Sequence, residues 1–176
     1  MVQTKFRETK LRRRIKRCLW TVIIGLAVSG VTAFPLETEL KFLSDHVSSS
    51  SMMGTWLHAT YRAVKTTNQQ FPTLSYGTDW LAFAHLVLAV LFVGPLRDPV
   101  KNIWVIQFGM IACVGVFPLA FIAGSIRGIP FFWQLIDCSF GAIGIIPLYF
   151  SYEYVLQTES NKKSDPQNAR PLPQQL

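Results

Sequence analysis

Four long apolar stretches limit what this chain can fold into more than any other feature of its sequence. The fourth occupies residues 128–152 and contains a single charged side chain, Asp137. About 20 consecutive apolar residues are needed for a helix to cross the hydrocarbon core of a bilayer. Three further stretches of similar character precede it. The sequence therefore predicts an all-α, polytopic membrane protein with four transmembrane helices in an antiparallel bundle, at about residues 18–36, 80–96, 103–124 and 129–152.

Composition supports a membrane protein and excludes several enzyme classes. Only 15% of the residues are charged, against about 25% in soluble domains. The three cysteines each lie in an apolar stretch and form no CxxC pair, which argues against a disulfide framework, a cysteine-based zinc site or a quinone-linked thiol oxidoreductase. The sequence also lacks a P-loop, a GxSxG turn and an HExxH motif. We therefore expect no bound cofactor and no metal, and the sequence does not decide whether the protein is an enzyme.

The net charge of +7 is concentrated at the N-terminus. Residues 1–17 contain eight Lys or Arg and one Glu, and a basic segment beside an apolar helix suits anionic lipid headgroups better than nucleic acid. We interpret this segment as a basic cytoplasmic tail. It is either solvated or, because Leu11 and Ile15 are four residues apart, a short helix on the membrane surface.

Two interpretations of the first apolar stretch remain open. Gly25, Ser29 and Ala33 recur every fourth residue, and a stripe of small residues allows another helix to pack closely. This pattern favours a retained transmembrane helix. However, a basic segment, an apolar stretch and a small-residue site ending at Ala33 are also typical of a signal peptide. Cleavage there would leave three spans.

The external loop, residues 37–78, is polar but carries helical signals. Trp56 and Thr60 belong to an apolar stripe, and His58, Arg62 and Lys65 recur at helical spacing on the opposite face. We predict an amphipathic helix over 52–68, capped by the serines before it and resting on the membrane surface or on the bundle. A shorter helix precedes it, and a loop is expected at 71–77. The last segment, 156–176, is polar and rich in proline, which predicts a disordered cytoplasmic tail.

The distribution of Lys and Arg sets the predicted orientation. Eight lie in the N-terminal tail, two in the turn at 97–101 and three beyond residue 156, whereas four lie on the opposite side of the predicted bundle. The positive-inside rule then places both termini in the cytoplasm. The expected location is the plasma membrane, the inner membrane of a bacterium.

This topology brings two polar side chains to the same depth. His85 follows Asp79 by six residues, and Asp137 follows Phe131 by six residues, so both lie about 9 Å below the outer surface at ~1.5 Å per residue. An acid facing lipid costs roughly 2.5–3.5 kcal/mol on insertion scales, so Asp137 is expected to face protein or water. We predict that His85 and Asp137 meet in the bundle as a catalytic or proton-carrying pair.

Other polar residues gather on the outer side and leave three functional hypotheses. His58, Asp79 and Arg127 are candidate ligand-binding residues. In the first hypothesis the protein is an accessory or assembly subunit with a membrane-protein partner, and Asp137 pairs with Arg127 or His85 to fix helix register. In the second the bundle binds a small molecule or lipid, or relays a proton as a transporter. In the third it is a membrane enzyme, with His85 and Asp137 as acid and base on a lipid or quinone.

Overall fold

The computed structural model describes the backbone of residues 2–163 and the side chains of residues 7–161. Regular secondary structure within that part of the chain is entirely helical. The elements in order are α1 (Val2–Ala33), α2 (Leu36–His46), α3 (Met52–Gln70), α4 (Pro72–Leu91), α5 (Val93–Arg97), α6 (Ile103–Pro118), a π-helical turn (Leu119–Ala123), α7 (Gly124–Ile126) and α8 (Phe131–Lys163).

Four helical stretches are long and apolar enough to cross a membrane. They are Arg7–Ala33, Pro72–Arg97, Ile103–Ile126 and Phe131–Asn161. Large apolar side chains are exposed along the later three, including Val90, Ile111 and Phe140, each about 70% accessible. Such exposure is costly in water and favourable in lipid. The number of apolar helices and their approximate positions confirm the sequence prediction.

The chain divides into two compact units. One consists of residues 24–90 and is called the α2–α4 unit, since it contains α2, α3 and nearly all of α4. The other consists of residues up to 23 and from 91 onward and is called the α6–α8 unit. The long helix α1 contributes to both units.

Packing of α6 against α8 forms the centre of the α6–α8 unit. A Cβ added at Gly109 would lie 3.0 Å from the Leu148 side chain, and one at Gly141 would lie 2.5 Å from the Cys113 carbonyl oxygen. Gly109 of α6 thus contacts residue 148 of α8, and residue 113 of α6 contacts residue 141 of α8. Because residue numbers increase along one helix as they decrease along the other, these two helices run in opposite directions. Gly109 and Gly141 thus allow the two helices to approach closely, whereas Gly115 has open space beside it.

Both predicted tails differ from the structure near the spans. Helix α1 begins at Val2, and every fourth residue in its middle part is buried, at Leu11, Ile15, Leu19 and Ile23. This spacing aligns one face of a helix, so the basic segment is a continuation of the first span and packs on protein. Helix α8 likewise continues to Lys163 where disorder was predicted from residue 156, because Val155 and Thr158 extend its buried face. Residues 164–176 lie outside the described residues.

A proline lies where regular α-helix is interrupted in the third span. Pro118 ends α6, and the next five residues form a π-helical turn. Proline has no backbone N–H and its ring collides with the preceding turn, so a local change of helix type is a common result.

In the α2–α4 unit, α1 contacts α4 through a glycine that the predicted stripe omits. A Cβ at Gly30 would lie 2.9 Å from both the Ala82 carbonyl oxygen and the Leu86 side chain. Gly25 has nothing within 4 Å, and Ser29 is exposed. The predicted stripe was therefore wrong as the packing face within this unit. The reason is that a small-residue repeat permits close approach without requiring it.

The segment between the first two spans, residues 37–78, is more helical than predicted. Two helices, α2 and α3, occupy this segment, and Ser51 caps α3 by accepting a hydrogen bond from the Gly54 N–H at 3.0 Å. The amphipathic character predicted for the second helix stays a prediction. The predicted loop at 71–77 was wrong, since α4 begins at Pro72. Proline is well tolerated in the first turn of a helix, where its missing N–H needs no partner. The buried residues of α3 are Gly54 and Leu57.

Candidate functional site

The structure places the predicted catalytic residues on different helices of different units. His85 lies on α4 in the α2–α4 unit, and Asp137 lies on α8 in the α6–α8 unit. Both side chains are partly buried. Their contact stays a prediction.

The local geometry of His85 defines which of its nitrogens is available. Its Nδ1 lies 2.8 Å from the Leu81 carbonyl oxygen, one helical turn earlier. A carbonyl can only accept, so Nδ1 carries the hydrogen in this contact. In the neutral ring Nε2 then has a free lone pair. This nitrogen can accept a proton, which is the property that acid–base chemistry needs.

Asp137 does not form the ion pair with Arg127 that the accessory-subunit hypothesis assumed. The structure has no ion pair between Asp137 and Arg127, although both belong to the described part of the α6–α8 unit. Arg127 is exposed in the connection before α8. The Asp137–Arg127 pair was therefore wrong.

One of the predicted ligand-binding residues lines a groove. Asp79 belongs to a cavity of about 540 Å³ formed by α2, α3 and the first turns of α4, which we call the α2–α4 groove. His58 is partly buried on α3 but is not among the lining residues, and Arg127 belongs to the other unit. Of the three residues that were grouped only by their predicted side of the membrane, Asp79 is therefore the one that lines this cavity.

The α2–α4 groove combines acidic, neutral polar and apolar side chains. Two carboxylates, Glu37 and Asp79, face a lining that contains no Lys, Arg or His. The apolar lining residues come from α2, α3, α4 and the turn between α1 and α2. The full lining is Phe34, Pro35, Leu36, Glu37, Thr38, Ala63, Val64, Thr67, Asn68, Pro72, Leu74, Ser75, Thr78 and Asp79.

A hydrogen-bond chain ties the three helices of the groove together. The Asn68 amide donates to the Glu37 carboxylate at 2.6 Å, and the Ser75 hydroxyl donates to the Asn68 carbonyl. Asn68 on α3 therefore bridges Glu37 on α2 and Ser75 on α4. Charge-assisted hydrogen bonds of this kind are stronger than neutral ones, so the chain fixes the relative positions of the groove walls.

Local sequence explains why Glu37 sits where it does. It lies in the first turn of α2, where a negative charge is favoured by the helix dipole. Sequence reasoning placed Glu37 on the outer side but missed it, Asn68 and Ser75 as groove residues. Glu37 and Asn68 are 31 positions apart, and no periodic pattern links them. The signal in the sequence that could have indicated these groove residues was the presence of an acid, Glu37, and an amide, Asn68, in helices that also have apolar residues.

Metal binding and cysteine chemistry receive no support from the described side chains. Within residues 7–161 no group of three or more His, Cys, Asp or Glu is arranged to hold a metal ion. Cys18, Cys113 and Cys138 are free thiols. Comparison of the chain with known protein families, curated proteins and solved structures found no match.

Proposed function

We propose that the chain is an integral inner-membrane protein of a bacterium, with four antiparallel spans and both termini in the cytoplasm. The four long apolar helices and the excess of Lys and Arg at one end support this orientation. The α2–α4 groove, formed by the segment between the first two spans, then opens on the outer side. Helix α3 lies at that surface as an amphipathic helix.

The function that the geometry supports best is binding of a small amphipathic molecule in the α2–α4 groove. The observation that carries this proposal is a cavity of about 540 Å³ whose lining contains two carboxylates together with several apolar side chains. Small-molecule sites are typically concave, largely apolar and equipped with a few polar groups that orient the ligand.

The charges in the groove favour one kind of head group. Glu37 already accepts a hydrogen bond from Asn68, and no basic side chain lines the groove to neutralise Asp79. A ligand with an ammonium or another donor-rich head group complements both carboxylates, while its hydrocarbon part contacts Leu36, Val64 or Leu74. An anionic ligand is repelled by the same pair.

Binding of two amphiphiles of equal chain length tests this proposal. Decylamine and decanoate are added to the purified protein in a neutral detergent, and bound molecules are counted by native mass spectrometry. We expect decylamine to bind and decanoate not to bind. Glu37→Gln and Asp79→Asn should each weaken decylamine binding about tenfold, the usual effect of losing a charge-assisted hydrogen bond.

The matched control is Asp45→Asn, which removes one negative charge from an exposed position of α2 outside the groove. It should leave decylamine binding unchanged. Equal binding of decanoate, or an equal loss of decylamine binding in Asp45→Asn, contradicts the proposal. Absence of any ligand in all preparations would favour an accessory or assembly subunit instead.

A second candidate function is acid–base chemistry by His85 with Asp137, on a lipid or quinone or as a proton relay. The observation that favours it is the hydrogen bond of His85 Nδ1 to Leu81, which leaves Nε2 available. The test is disulfide formation between cysteines at positions 85 and 137, in a chain whose three native cysteines are replaced. No cross-link under oxidation would refute the pair.

A further inference from the structure

A second cavity, in the α6–α8 unit, has the opposite charge. It has a volume of about 260 Å³ and is lined by Thr9, Arg12, Arg13, Lys16, Leu96, Arg97 and Pro99. We call it the basic cavity. Its walls are the first half of α1 and the end of α5 with the residues that follow it.

The basic side chains in this cavity come from two elements that are distant in sequence. Thr9, Arg12, Arg13 and Lys16 have the spacing i, i+3, i+4 and i+7, which places them on one face of α1. Arg97 is the last residue of α5. The fold thus brings Arg97 to the cavity lined by Arg12, Arg13 and Lys16. The N-terminal basic segment by itself supplies only three of the four cations.

Among the side chains of residues 7–161, no carboxylate forms an ion pair with any of these four cations. The lining contains no Asp or Glu. Among the described side chains the ion pair is Lys101 with Asp98, and it includes none of the cavity's cations. Like charges held around one cavity repel each other, and an anion placed between them removes that repulsion.

We propose that the basic cavity binds a phosphate group. Arginine presents paired N–H donors that match phosphate oxygens, and three of the four cations are arginines. The cavity lies where the charge-free part of the first span begins and the second span ends, which is the level of lipid headgroups. The phosphate belongs to an anionic lipid or to a soluble phosphate ester. Only the lipid source rests on the proposed membrane orientation.

Two matched pairs of variants separate a built site from diffuse attraction. Arg97→Gln is compared with Lys101→Gln, because Lys101 is exposed, outside the lining and paired with Asp98. Arg13→Gln is compared with Arg17→Gln, because Arg17 is on α1 but outside the lining. Each pair removes one positive charge at the same end of the protein, so a general electrostatic effect is equal within a pair.

The experiment uses the full chain purified in a neutral detergent. Dioleoyl phosphatidic acid and dioleoyl phosphatidylcholine are titrated and followed by native mass spectrometry, and inorganic phosphate is titrated by calorimetry. We expect phosphatidic acid to bind more tightly than phosphatidylcholine. Arg97→Gln and Arg13→Gln should each weaken it about tenfold or more, whereas Lys101→Gln and Arg17→Gln should change it less than twofold.

The outcomes distinguish the sources and the alternatives. Phosphatidic acid binding with this variant pattern supports a lipid site, and the same pattern with inorganic phosphate alone supports a soluble ester. Equal losses in all four variants, or full binding in Arg97→Gln, overturn the proposal. If Arg97→Gln does not fold, Arg13→Gln decides alone. Glu37→Gln, in the α2–α4 groove, should leave phosphatidic acid binding unchanged, so failure of the groove proposal is recognised separately.

Discussion

The close contact of Gly141 on α8 with the backbone of α6 gives the most quantitative prediction. A Cβ at Gly141 would lie 2.5 Å from the Cys113 carbonyl oxygen and 3.3 Å from Val116 Cβ. A non-bonded carbon and oxygen normally come no closer than about 3.3 Å. Gly141→Ala therefore forces the two helices apart by about 0.8 Å at this point. The contacting atom is backbone and cannot rotate away.

Inserting a methyl group into a packed interface costs typically 1–3 kcal/mol. We therefore expect Gly141→Ala to reduce the free energy of unfolding by about 2 kcal/mol, which lowers the folded-to-unfolded ratio about thirtyfold. Reversible unfolding by sodium dodecyl sulfate in mixed micelles, followed by tryptophan fluorescence, measures this free energy.

Gly115→Ala is the matched control, because Gly115 lies on the partner helix and has nothing within 4 Å of the added carbon. Both substitutions gain the same intrinsic helix propensity, up to about 1 kcal/mol, so their difference isolates the contact. Equal stability of the two variants would refute the close packing of α6 on α8.

Three further predictions concern single contacts. Gly30→Ala should destabilise the protein by about 1–3 kcal/mol, because its added carbon meets the Ala82 carbonyl oxygen, whereas Gly25→Ala should not; detergent unfolding compares them. Ser51→Ala should cost about 1 kcal/mol through loss of the α3 cap and should speed amide hydrogen exchange in the first turn of α3. Ser151→Ala should leave stability unchanged or raise it by up to about 1 kcal/mol in thermal melting, because its buried hydroxyl has no hydrogen-bond partner within the described part of the chain.

The sequence was sufficient for features that depend on length and local chemistry. The four apolar helices follow from the length of their apolar stretches, and the start of α3 follows from Ser51. Each of these features is determined by residues that are adjacent in the chain.

Features that depend on which faces meet were less accessible. Small residues at Gly25 and at Gly30 are equally able to admit a helix, and only tertiary packing selects Gly30. The basic segment looked solvated because its charges outnumber its apolar residues, yet its apolar residues continue the buried face of the span. A charge run on one side of a helix does not prevent burial of the other side.

The residues of the candidate site were even harder to predict, because they are distant in sequence. The α2–α4 groove is assembled from three helices, and its hydrogen-bond chain joins residues 31 positions apart. Asp79 was identified because it lies on the predicted outer side of the membrane, but its neighbours in the groove carry no motif. The predicted meeting of His85 with Asp137 rests on depth alone and stays a prediction.

The reactivity of a single cysteine in the α2–α4 groove tests whether the groove opens on the outer side and binds an amphipathic cation. Thr67→Cys is introduced into a chain without the three native cysteines, and intact bacterial cells are treated with a membrane-impermeant maleimide. Thr67 lines the groove, whereas Gln69 on the same helix is exposed and outside it. Gln69→Cys in the same background serves as the control. We expect both cysteines to be labelled from outside, and we expect added decylamine to slow the reaction at position 67 but not at position 69. Labelling at position 67 only after the cells are permeabilised, or the same rate with and without decylamine, would contradict the proposal.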